Sequence, residues 1–122
     1  MYYIYMVRCA DDSLYTGIAA DVCRRMREHT QKAAVAAKYT RTRTVTALEG
    51  LWRAKDRSHA SKLEYAIKQL PRQKKLDLLA NPALLPQFLP QLAEETYEYI
   101  SGVTLEACVE GTWNDETVCS AP

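Results

Sequence analysis

Two short runs near the start of the chain, residues 2–8 (YYIYMVR) and 13–19 (SLYTGIA), concentrate aromatic and β-branched side chains as strands do. Cys9-Ala10-Asp11-Asp12 between them supplies a turn whose aspartates can bond nearby backbone amides, so the pair reads as a β-hairpin. With a three-residue loop at 10–12, position i pairs with 22 − i. Tyr5 then opposes Gly17, Val7 opposes Tyr15, and both tyrosines point to one face. A slip of one residue would separate them. Asp21 is a natural N-cap for a helix in which Val22, Met26 and His29 recur at helical spacing, running to about Ala37. Arg25 and His29, four apart, are neighbours on one face of it. Residues 38–44 (KYTRTRT) form a polar, basic loop, and 45–53 (VTALEGLWR) alternate as a third strand.

Ala60, Leu63, Ile67 and Leu70 lie on one stripe of 58–70 (SHASKLEYAIKQL), an amphipathic helix. Pro71 stops it or opens a second helix over 72–80 (RQKKLDLLA). The order β-β-α-β-α-α predicts an α+β fold, a small three-stranded, mostly antiparallel sheet flanked by helices. From Asn81 the pattern changes. Pro82, Pro86 and Pro90 punctuate a linker-like stretch, 91–101 reads as a short acidic helix ending at Gly102, and 103–110 (VTLEACVE) alternates as a half-buried strand. The expected division is a domain at 1–80 and an acidic C-terminal extension at 81–122.

Charge sharpens that division. The net charge of +1 conceals two unlike segments. All 16 Lys and Arg fall within residues 1–80 against 8 acidic residues, a balance of +8; residues 81–122 hold 7 acidic residues and no Lys or Arg, a balance of −7. The basic segment is the electrostatic footprint of a polyanion binder. An apolar content of 48% is that of an ordinary soluble protein, and no run approaches the 18 or so apolar residues of a membrane helix. The start lacks the basic-then-apolar layout of a secretory signal, which makes a cytoplasmic location the expectation. Cys9, Cys23, Cys108 and Cys119 form no CxxC pair and read as free thiols.

The pieces "YIYMV…LYTG", "D-V-x-R-R-x-R-E-H", "AKYTR-TR" and "LEYAIKQLPRQKK", in this order and spacing, resemble the GIY-YIG nuclease superfamily, most closely its short stand-alone bacterial branch. The resemblance covers roughly residues 2–79 and leaves the acidic extension unexplained. It implies a compact sheet with helices and a phosphodiesterase centre using one divalent ion, Mg²⁺ or Mn²⁺. Carried over by position, Tyr5 matches the tyrosine closing the first motif, Tyr15 the one opening the second, and Gly17 the glycine ending it. Arg25 matches the arginine of the first helix, His29 the polar residue one turn later, and Glu64 the helical glutamate that holds the metal. Tyr3 stands where the first motif begins with glycine, and Thr16 where the second has isoleucine. Lys68 takes the place of a late asparagine found in longer members.

Each of these residues also has a plainer reading. Ser61-Lys62-Leu63-Glu64 fits a capping box, and Glu64 with Lys68 is a favourable i, i+4 pair. Yet Glu64 lies at the rim of the apolar stripe, where a carboxylate needs a partner, and a hard cation is one. Arg25 is either one solvated arginine in the cluster Arg24, Arg25, Arg27 or a bidentate phosphate ligand. Tyr5 and Tyr15 either pack or activate water, the latter requiring neighbouring cations to lower a phenol pKa near 10. His29 is a hydrogen-bonded helix residue or a proton relay. Lys38, Tyr39, Arg41 and Arg43 form a basic loop with an aromatic inside it, suited to phosphate contact plus base or sugar packing. His59 reads as surface, and Tyr2, Tyr65, Trp52 and Trp113 as packing.

The function these features imply is a metal-dependent endonuclease acting on DNA phosphodiesters in repair, recombination or defence. Branched, damaged or foreign duplexes are the expected partners, met by shape more than by base sequence. The competing readings are a nucleic-acid-binding module without turnover and an adaptor whose acidic extension docks a protein. An extension of −7 beside a domain of +8 further raises autoinhibition by fold-back, against plain packing on the rear of the domain.

Overall fold

The computed structural model of the chain describes residues 1–35 and 44–113. Strands β1 (Tyr2–Cys9) and β2 (Leu14–Ala19) form the hairpin in the expected register, with Tyr5 opposite Gly17 and Val7 opposite Tyr15. The turn closes as its composition suggested. Asp11 accepts from the Ser13 amide at 3.0 Å, the Asp12 amide donates to the Cys9 carbonyl at 2.9 Å, and Asp12 takes a left-handed φ of 67°. Helix α1 (Val22–Val35) is capped by Asp21, whose carboxylate accepts the Arg24 amide at 3.1 Å.

Strand β3 (Val45–Ala54) pairs antiparallel with β1, with register shifts between Met6 and Val7 and between Arg8 and Cys9. Among the described residues the sheet has four strands, not three: the two-residue β4 (Glu98–Tyr99), from the acidic extension, adds to β3 in the order β2-β1-β3-β4. Alternation along β1 sorts two cores. Tyr3, Tyr5, Val7 and Cys9 pack with Val22, Cys23 and Met26 of α1, while Ile4 and Met6 pack with Trp52 on the opposite face. That second face is covered by helix α2 (Arg57–Lys68), which buries Ala60, Leu63, Ala66 and Ile67, and by helix α3 (Arg72–Ala80), which buries Leu78.

Asp56 is the true N-cap of α2. Its carboxylate accepts the His59 amide at 2.9 Å, which leaves Ser61 inside the helix and removes the expected capping box with Glu64. His59 is not a surface residue. Its side chain is 17% exposed, held between Asp56 at 2.7 Å and Glu95 at 2.8 Å, while Tyr97 donates to its carbonyl at 2.7 Å. Tyr65, assigned to packing, is 69% exposed; Trp52 is buried, and Trp113 packs edge-on against Tyr3 at 6.4 Å.

The extension departs most from expectation. Residues 91–101 form no long helix: after a short helix α4 (Leu85–Phe88) come a 3₁₀ turn at Pro90–Leu92 and β4. Residues 103–110, expected as a strand, hold helix α5 (Leu105–Glu110). Thr104 caps it by accepting the Ala107 amide at 3.1 Å, Gly111 ends it at φ 79°, and Leu105 and Cys108 share its buried face. Local capping thus overrode the alternation. Leu105, Cys108 and Ile100 complete the core that α1 shares with β1, so these residues of the extension pack against the rest of the fold. Cys9, Cys23 and Cys108 are buried free thiols. Among the described residues no helix is long and apolar enough to cross a membrane.

Candidate active site

The hairpin register brings Tyr5 and Tyr15 to the face that α1 covers. Tyr5 is 1% exposed and Tyr15 46%, so one ring is sunk in the core and the other stands at its mouth. Their ring centroids are 6.3 Å apart. Met26 and Val22 anchor α1 on the sheet, which carries His29 to the same place. Its Nε2 lies 3.2 Å from the Tyr5 hydroxyl, and its ring sits edge-on to Tyr5 at 5.8 Å and to Tyr15 at 6.2 Å. The three rings form a triangle. Gly17 makes it possible: a Cβ there would fall 2.4 Å from the Tyr5 phenol oxygen.

The charged groups ring this triangle. Arg25, one turn before His29 and 45% exposed, pairs with Glu28 at 3.8 Å, and Glu28 also takes Arg24 at 3.3 Å. From the other face of the sheet α2 reaches the edge strand β2. Lys68 places its ammonium 5.7 Å from the Tyr15 ring centroid and pairs with Glu64 at 3.4 Å. Burial pushes the Tyr5 phenol up to about 12; Tyr15 adds to that rise, Arg25 opposes it, and Glu64 and Glu28 raise it further. Arg25 alone does not lower this phenol, because desolvation, Tyr15 and two carboxylates outweigh one guanidinium.

Glu64 keeps a partly open carboxylate, its side chain 23% exposed. Among the described residues no three His, Cys, Asp or Glu are arranged so that they could hold a metal ion. One carboxylate suits a hard, largely hydrated cation of the Mg²⁺ kind, which takes most of its oxygens from water and phosphate. It does not suit zinc, which is held by three or four protein ligands. The donor set is compatible with the ion that the resemblance implies, and Glu64 is the residue that would hold it. Beyond Tyr15 and His29 opens a cavity of about 340 Å³, floored by Cys9, Leu14 and Val45.

Of the residues singled out in the sequence, Tyr5, Tyr15, His29, Arg25, Glu64, Gly17 and Lys68 come together at this edge of the sheet. Lys38, Tyr39, Arg41 and Arg43 lie outside the described residues. Glu28 was missed, although its i+3 and i+4 spacing to Arg25 and Arg24 was legible as a pairing signal.

The hairpin thus presents two tyrosines to a basic helix, with the Glu64 carboxylate coming round the sheet edge. Residues 1–77 match the sequence model of the GIY-YIG catalytic domain, and the chain belongs to the GIY-YIG family. GIY-YIG domains are generally endonucleases of DNA that use divalent metal ions. The chain is 46% identical to the UPF0213 protein DP2720 of Desulfotalea psychrophila over 78 residues, covering 64% of this chain and 70% of that one. It is 37% identical to the UPF0213 protein YhbQ of Salmonella arizonae over 91 residues, 75% of this chain and 89% of that one. A solution NMR structure of the UPF0213 protein BH0048 from Bacillus halodurans is 34% identical, covers 79% of this chain and all of that one, and superposes with a TM-score of 0.44.

Proposed function

We propose that the protein is a divalent-metal-dependent endonuclease that hydrolyses DNA phosphodiester bonds, selecting substrates by shape more than by sequence, in repair, recombination or defence. The observation that supports it best is the triangle of Tyr5, Tyr15 and His29 with the charges of Arg25 and Glu64 felt at the Tyr5 hydroxyl. Ionising a phenol held at about 12 would cost about 7 kcal/mol at neutral pH, so Tyr5 works as a neutral hydroxyl and not as a standing phenolate. His29 is the proton acceptor. In the tautomer protonated at Nδ1, its Nε2 accepts from the Tyr5 hydroxyl across 3.2 Å. As a water oxygen attacks phosphorus, Tyr5 takes the water proton while passing its own to His29, and the sugar oxygen on the far side leaves and is protonated from solvent.

Arg25 exchanges its exposed pairing with Glu28 for a bidentate grip on a non-bridging phosphate oxygen, where it offsets developing charge. Tyr15, at the mouth with Lys68 over its ring, orients the attacking water or the phosphate. Glu64 would hold the divalent ion, whose chemistry when bound is to polarise the phosphate and stabilise the leaving oxygen. Lys38, Tyr39, Arg41 and Arg43 would extend the DNA contact.

The test is nicking of plasmid and branched DNA with Mg²⁺ or Mn²⁺, comparing wild type with Arg25→Ala and Glu64→Ala. Metal-dependent nicking lost in both variants supports the reading. Tight binding with no metal-dependent cleavage overturns it in favour of a binding module.

A further inference from the structure

We propose that the outward face of α2 is a rail for the nucleic-acid strand, with Arg57 and Tyr65 as contacts that carry it past Glu64. The inward face is settled by the burial of Ala60, Leu63, Ala66 and Ile67, and this orients the other side. On it Arg57, Ser61, Glu64 and Lys68 follow at i, i+4, i+7 and i+11, a single row along the helix. At the rise of a helix, Arg57 lies about 10 Å from Glu64 in one direction and Lys68 about 6 Å in the other. The row continues toward the hairpin: Lys68 covers Tyr15, and Arg72, at the start of α3, reaches Asp12 of the turn at 3.0 Å. A cation therefore stands on each side of the carboxylate.

Tyr65 flanks this row, three residues before Lys68, and exposes 69% of its surface. Arg57 is exposed and has no ion pair among the described residues. A single exposed tyrosine or arginine is ordinary. What distinguishes these two is their alignment with Glu64 and with the exposed Tyr15. Lys68 and Arg72 hold their present carboxylates in pairs that are partly or wholly exposed, which are weak and exchange readily for phosphate. Cations spaced along a line, interleaved with an open aromatic ring, complement a phosphodiester strand: phosphates on Arg57, Lys68 and Arg72, a sugar or base against Tyr65.

The rail rests on the nuclease reading for the path past Glu64, but its test needs no cleavage. Binding of a fluorescein-labelled branched oligonucleotide is followed by anisotropy in EDTA across a salt series. Tyr65→Ala should weaken binding about tenfold, the loss of one stacked ring, while Tyr65→Phe retains it. Arg57→Gln should lower the slope of log Kd against log salt by about one. Wild-type affinity and slope in both Tyr65→Ala and Arg57→Gln would overturn the rail, as would a wild-type protein that binds no oligonucleotide. Binding that depends on both residues in a protein that cuts nothing upholds the rail and overturns only the nuclease reading. Cleavage by a protein whose binding ignores both residues does the reverse.

Discussion

Gly17 stands directly opposite Tyr5 across the hairpin, and the tyrosine ring fills the space a Cβ at position 17 would need. The glycine is needed for close approach and not for backbone freedom, since its φ is an ordinary strand value. A residue with no side chain thus decides where the Tyr5 hydroxyl can lie.

Gly17→Ala puts a carbon 2.4 Å from the phenol oxygen and 2.6 Å from the ring carbon that bears it. The ring is fully buried and cannot swing into solvent, so the strain goes into the sheet or the Tyr5–His29 contact. The expected loss of stability is about 1–3 kcal/mol, read from urea unfolding. Nicking should fall further than the folded fraction does. An alanine variant that nicks at the wild-type rate would show that Tyr5 does not work from this position.

Glu64→Gln keeps the shape of the side chain and removes its charge. The pair with Lys68 is partly exposed, so stability should change by less than about 1 kcal/mol. Metal-dependent cleavage should drop by about 100-fold or more if this carboxylate holds the ion. Isothermal titration with Mn²⁺ separates the two effects, since heat of binding should vanish in the variant while its melting temperature stays. Retained Mn²⁺ affinity would move the metal site elsewhere.

Alkaline pH should weaken the fold through Tyr5 and Tyr97, both pushed up to about 12, first of all by burial. A phenol raised in the native state contributes stability that is complete below its unfolded value near 10 and is lost as pH climbs toward 12. Stability should therefore hold flat from neutrality to about pH 10 and fall between about 10 and 12. Tyr5→Phe should flatten part of that fall in urea titrations at pH 9 and pH 11. An unchanged slope would mean that the Tyr5 hydroxyl is not desolvated.

Leu105→Ala tests whether the extension is part of the fold. Leu105 is 7% exposed in the core shared with α1 and β1, so its truncation should cost about 2–5 kcal/mol. Truncation after Asn81 should be worse, because it uncovers Tyr3 and removes the backbone bond from Ile100 to Leu51 at 2.9 Å. A soluble 1–81 fragment with the wild-type melting temperature would support the division of the chain into a domain at 1–80 and an extension at 81–122.

Much of the site is legible in the sequence. The hairpin register followed from period-two alternation and the short turn, and it alone placed Tyr5 and Tyr15 on one face. The i, i+4 spacing of Arg25 and His29 followed from helical periodicity once Asp21 marked the cap. The extension was misread because its segments are short. In a run of six or eight residues, alternation and helical spacing coincide, and the deciding signals were Thr104 and Gly111 at the ends. Tyr65 and His59 were misread for a different reason: exposure belongs to the assembly of elements and not to residue type.

The sequence by itself determined which residues share a strand face or a helix face, because those relations depend only on backbone period and local caps. The tertiary structure alone decided that α1 and α2, on opposite faces of the sheet, both reach the edge strand β2, so that His29 and Lys68 approach one Tyr15 ring. It also decided that Tyr5 is a buried neutral phenol with His29 as its partner. Desolvation is summed over every neighbour in space, and no spacing along a chain records that sum.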